Sequence, residues 1–235
     1  MEVVYEDNHL IIVSKRPGEI VQGDKTGDEP LVETVRRYLK EKYAKPGNVF
    51  CGVVHRLDRP VWGLVVFAKT SKALARLNEM FREGRVRKTY RAITRNRPPK
   101  DADRIVSYIS SVERNNKSYA SAMPRPGTKE AALSYRLIGQ SERYYMLEVN
   151  LETGRKHQIR VQLSSIGCPI RGDLKYGDKR SNPDGSISLQ AHEIDFEHPV
   201  SHKRIHVTAP TPDDALWQAF ENSIQSTTLP DGTDN

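Results

Sequence analysis

Three short segments hold the side chains best placed to do chemistry. The first is His55-Arg56-Leu57-Asp58, which sets a carboxylate between Arg56 and Arg59 and two residues before Pro60. Fixed positive charge beside a carboxylate favours its ionised form, so Asp58 suits a nucleophile or base aimed at a polyanion. Taken alone, the tetrapeptide reads more simply as a turn whose Asp pairs with Arg56 or Arg59 at the surface. The second segment is Lys88-Thr89-Tyr90-Arg91-Ala92, in a basic stretch from Arg82 to Lys100 where Glu83 is the one nearby acid. Charge along such a strand would track phosphates, and the Tyr90 ring could stack on a base. The alternative is a solvated face with Tyr90 half in the core. The third runs from Thr153 to Arg160, a basic turn feeding a helix. Free N–H groups at a helix start favour anions, and Arg160 could grip a carboxylate through paired hydrogen bonds. The alternative is a capped surface helix with a solvated charged face.

These segments need a frame. Residues 3–5 and 10–13 predict two strands joined by a turn. Leu31, Val35, Tyr38, Leu39 and Ala44 keep helical spacing and predict an amphipathic helix over 30–44. Residues 49–55 and 64–68 predict strands flanking the Asp58 loop, the second a continuous apolar run suited to full burial. Ser71 is the expected N-cap of a helix over 73–81 that stops near Gly84. Further strands are expected at 87–94, 104–109, 131–138, 144–151, 188–196 and 204–208, with helices at 157–166 and 212–224. Strands and helices do not alternate strictly, so the expected class is α+β: a mainly antiparallel mixed sheet with flanking helices. The expected organisation is one domain over residues 1–224 and a frayed tail over 225–235. The polar segment 96–103 is either a boundary or a long hairpin connection.

The chain has 235 residues and a formal net charge of +7, with a pI near 9.4. The length allows a sizeable core without staples, and the charge suits a nucleic-acid partner. Two distant cysteines, Cys51 and Cys168, form no CxxC and point to a reducing, cytoplasmic setting. The first ten residues lack a signal-peptide pattern, and no apolar run is long enough to span a bilayer, so no membrane partner is expected. Residues 63–70 end in Lys-Thr but lack the glycine a P-loop needs. His198 and His202 are separated by Pro199-Val200, which argues against a metal-binding helix, and the usual zinc spacings are missing. No Ser or Cys sits in a recognisable nucleophile setting; Cys168 reads as a loop residue.

Together the segments resemble the RluA-type RNA pseudouridine synthases over residues 3–210. VVYEDNHLIIVSKRPG looks like that family's first strand pair, with Lys15 and Gly18 at its lysine and glycine. HRLDRPVWGLVVFAKT matches the signature HRLDxxTSGLLxxAKT. KTYRAI from Lys88, TGRKHQIRVQLSSIGCPIRGDLKYG from Thr153 and LQAHEIDFEHP ending at Pro199 match the remaining motifs in order. The resemblance implies a bent, mainly antiparallel sheet with a central cleft and an enzyme that needs no cofactor and no metal. It places Asp58 on the essential aspartate, Tyr90 on a tyrosine that contacts the target base and helps at its C5 proton, and Arg160 on the aspartate's partner. Arg56 falls on a residue that enters the RNA where the base leaves the stack.

The catalytic set is therefore Asp58, Tyr90 and Arg160. The RNA-binding set is His55, Arg56, Arg59, Lys88, Arg155, Lys156 and His157. The expected partner is ribosomal or transfer RNA, with no obligate protein partner and a monomeric chain. The catalytic pattern begins at residue 3, so no N-terminal accessory RNA-binding module is expected. Val61-Trp62 departs from the family's Thr-Ser, with Trp62 expected to fill core space. That departure motivates the alternative of a catalytically impaired RNA-binding protein with the same fold. A third reading, a glycoside hydrolase, needs a second acid, for which Asp173 is the nearest candidate.

Overall fold

A computed structural model describes residues 1–228. Eleven strands form one sheet: β1 (Glu2–Glu6), β2 (Leu10–Lys15), β3 (Gly52–Val53), β4 (Trp62–Ala68), β5 (Arg87–Thr94), β6 (Ala102–Val112), β7 (Lys117–Ser121), β8 (Lys129–Gln140), β9 (Tyr145–Leu151), β10 (Leu189–Glu197) and β11 (Arg204–Thr208). The main path is β1-β2-β4-β10-β5-β9-β8-β6-β7, with β3 beside β4 and β11 beside β10. Pairing is antiparallel throughout, except that β4 and β10 run parallel. The class is α+β, as the sequence predicts. Segment 96–103 is not a hairpin connection: it leads from β5 into β6, which lie three places apart in the same sheet.

Helices cover both faces. α1 (Leu31–Lys42) and α3 (Gln158–Ser165) pack on one face, where Val13, Val65, Tyr90, Val149 and Ile159 share a core. α2 (Ser71–Arg82) buries Ala73, Leu77 and Met80 on the other face against Leu64 and Val66. α4 (Ala215–Thr228) closes the second face further along with Trp217 and Phe220 against Ile93 and Met146. No helix among the described residues is long and apolar enough to cross a membrane. α4 carries helix through 225–228, four residues of the expected tail; residues 229–235 lie outside the described chain.

The join of β4 to β10 positions the site. Gly63 pairs with Ala191, and Ala191 pairs on its other side with Tyr90. The end of the Asp58 loop thus lies two strands from Tyr90. Gly63 has φ +113°, and a Cβ there would lie 2.2 Å from the Ala191 carbonyl oxygen. Only glycine allows so close a backbone approach.

The expected strand over 49–55 shrinks to Gly52–Val53. Past it, the His55 ring takes over the pairing, its Nε2 accepting the Val66 N–H at 3.1 Å. At the other end of β4, Thr70 rather than Ser71 is the N-cap, its side chain accepting the Ala73 N–H.

Candidate active site

Asp58 lies in the loop between β3 and β4. The Val61 N–H donates to the Asp58 carbonyl at 3.0 Å and closes a turn over Arg59-Pro60. Lys15, at the end of β2, holds this turn from beneath. Its side chain is fully buried and donates to the carbonyls of Arg16, Arg59 and Val61 at 2.9, 3.0 and 2.9 Å. Burial lowers its pKa to about 8, against the pull of Glu19 and Asp58. An unpaired buried carbonyl is costly, so one ammonium satisfying three of them fixes the loop that presents Asp58.

Arg160 projects from the first turn of α3 and is buried. Its Nη1 donates to Asp58 Oδ2 at 2.9 Å. Its Nε and Nη2 donate to Asp173 Oδ2 and Oδ1 at 2.7 and 2.9 Å. Burial works against its charge, but Asp173 first and Asp58 second raise its pKa above the ordinary value. The guanidinium is thus gripped from behind by one carboxylate and offers its remaining edge to the other. Asp173, the nearest candidate for a second acid in the sequence, is buried in the fold and committed to Arg160. Asp58 keeps 31% of its side-chain exposure. Among the described residues no hydrogen bond reaches its Oδ1, which leaves that oxygen for a reacting atom.

Asp58 and Tyr90 line one open cleft, with Val61, Leu151, His157 and Leu189 among its walls. Burial first, and the Asp58 charge second, raise the Tyr90 pKa above the ordinary value. It rests as a neutral phenol, suited to pack against a base rather than to take a proton in the resting state.

The expected RNA-binding residues divide. Arg56 is exposed at the cleft, with no ion pair among the described residues. Arg155 and Lys156 are also exposed at the turn before α3, where Arg155 Nε donates to the Glu130 carbonyl at 2.9 Å. The Arg155 N–H is spent on Gln158 Oε1 at 2.9 Å, so that amide is not free for phosphate. Lys88 is half-buried over the Phe81 ring at 5.6 Å, and burial lowers its pKa. It reaches the third segment, lying 3.7 Å from where a Cβ on Gly154 would sit.

Three members are placed otherwise than expected. His55 is occupied by Val66 and stacks on Phe81, and burial pushes its pKa down to about 3, so it is a neutral structural ring. Arg59 turns away to Asp28 at 2.6 Å and Asp24 at 3.7 Å. His157 lies inside the cleft beside Asp58, not on the basic rim.

Part of the basic stretch is also neutralised by acids, two of them distant in sequence and two close by. Arg91 pairs with Glu221 and Arg95 with Asp178, while Arg97 and Lys100 pair with Asp101 and Asp103. Trp62 does not fill the core. It is half-buried in β4, where its backbone pairs with Gln190. Val61 alone of the departing pair lines the cleft.

The profile of a family described as RNA pseudouridylate synthase matches residues 9–165. The chain is 30% identical over 239 residues to a tRNA pseudouridine synthase C of Pectobacterium carotovorum, covering 93% of this chain and 60% of that one. It is 32% identical over 224 residues to a ribosomal large subunit pseudouridine synthase D of Zymomonas mobilis, covering 91% and 70%. Among solved structures, human RNA pseudouridylate synthase domain containing 4 superposes with a TM-score of 0.77 at 20% identity, covering 95% of this chain and 93% of that one.

Proposed function

This chain belongs to the RNA pseudouridylate synthase family, in its RluA-type branch, and from that premise we propose that it converts particular uridines of ribosomal or transfer RNA to pseudouridine with Asp58 as the essential carboxylate. The observation that carries this reading is the Arg160 Nη1 to Asp58 Oδ2 contact of 2.9 Å in a cleft shared with Tyr90. The reaction breaks the bond from uracil N1 to the sugar C1′, turns the base, joins C5 to C1′ and releases the C5 proton while N1 regains one. A carboxylate with one oxygen held and one free can serve as nucleophile at C1′ or as base at C2′. Tyr90 forms a neutral wall for the uracil ring. The reading takes the chain as a monomer in the cytoplasm that acts without an obligate protein partner.

The target base must leave its stack, at a cost of roughly a few kcal/mol. Arg56, Lys88, Arg155 and Lys156 supply phosphate contacts that offset it. The alternative of an impaired RNA-binding protein rests on Val61-Trp62, of which Val61 alone lines the cleft. Mapping pseudouridines across total cellular RNA with and without this chain tests the reading. Specific sites in ribosomal or transfer RNA should vanish without it; an unchanged map would contradict it.

A further inference from the structure

His157 has no part yet in the proposed reaction, although it touches the reacting carboxylate. It precedes α3 with φ +56°, in the left-handed region that few non-glycine residues adopt. Its buried ring stands between two groups: Nδ1 lies 2.7 Å from Tyr176 Oη, and Nε2 lies 3.5 Å from Asp58 Oδ2. Tyr176 Oη also accepts the Ser118 N–H at 2.8 Å. Tyr176 therefore has its own proton to give, and the His157 Nδ1 is the acceptor within reach. That leaves the ring proton on Nε2, facing the carboxylate.

We propose that His157 is a positioning residue: a neutral Nε2–H donor, set in that tautomer by Tyr176, which with Arg160 holds Asp58 Oδ2 and leaves Oδ1 to the substrate. This rests on Asp58 being the reacting carboxylate. At 3.5 Å the contact falls short of a hydrogen bond in the resting site, and catalytic contacts of this kind tighten when substrate fills a site. The groups facing the ring keep it neutral. Burial and the nearby charges of Arg160, Lys175 and Lys156 outweigh the attraction of Asp58 and push its pKa down to about 4. The Arg160 guanidinium also lies over the Tyr176 ring at 5.0 Å, so both supports of Asp58 share one wall.

Two measurements on the full chain test this. Nitrogen-15 NMR at neutral pH, with the His157 signal assigned by its loss in His157→Gln, should show a neutral ring protonated at Nε2. A proton on Nδ1, or an imidazolium, would overturn the proposal. The second measurement is tritium release from RNA carrying uridine tritiated at C5. His157→Phe should lower kcat about tenfold, the size of one hydrogen bond to a charged group, with KM within about twofold. His157→Gln, whose side-chain N–H can replace the donor, should recover most of the loss. A folded His157→Phe at full kcat, or a His157→Gln as slow as His157→Phe, would overturn it. Failure of the unaltered chain to release tritium would count against the isomerase reading, while the tautomer would still decide the role of His157.

Discussion

At the scale of single residues, the site is a carboxylate made selective by what surrounds it. Asp58, Tyr90 and Arg160 were legible in the sequence because each stands in a segment with a family pattern, and the fold brings all three to one cleft. The supports behind them were not. Asp173 sits in a segment that matched, yet nothing in its spacing says that it grips Arg160 rather than a substrate. His157 looked like one more base in a basic turn, because burial and a tyrosine partner cannot be read from neighbours in the chain. Asp173 carries a prediction of its own. Asp173→Asn removes the charge behind a buried guanidinium, and breaking a buried pair typically costs about 3 kcal/mol or more. The urea midpoint should fall, and tritium release should drop with it as Arg160 loses its aim. Unchanged stability and activity together would show that Arg160 does not depend on Asp173.

At the scale of elements, periodicity placed most strands because their apolar runs alternate or are continuous. The limits at 87–94 and 204–208 agree with β5 and β11. The failures have physical causes. β7, Lys117–Ser121, is a short edge strand of polar and small residues, so it carries no apolar alternation to find. β3 is short because a histidine ring does the work of a backbone pair. Lys15 offered no signal of its role either: a charged residue at a strand end reads as exposed, and only three converging carbonyls explain its burial. Gly63 likewise reads as an ordinary strand glycine until β10 is seen to press against it. These three features determine where Asp58 points, and each depends on chain distant in sequence.

At the scale of the molecule, the net charge of +7 is not spread evenly over function. Many arginines are spent on ion pairs within the fold, while Arg56, Arg155 and Lys156 stay exposed at or beside the cleft and Lys88 is half-buried near Gly154. The buried histidines give the whole fold a pH dependence. Burial chiefly pushes the pKa of His55 from 6.5 down to about 3, and those of His157 and His192 down to about 4. In the unfolded chain all three would protonate near 6.5, so acid favours the unfolded state. Stability is therefore complete above about pH 6.5 and falls as pH drops toward 4. Urea midpoints measured from pH 7 down to pH 5 should decline steadily; a flat profile would contradict the burial of these rings as neutral groups.

If Asp58 is the reacting group of an RNA uridine isomerase, its negative charge is indispensable to turnover. Tritium release from RNA carrying C5-tritiated uridine should be catalytic with the unaltered chain. It should be abolished by Asp58→Asn, which keeps the shape of the side chain and removes its charge. Full release by a folded Asp58→Asn protein would contradict the account.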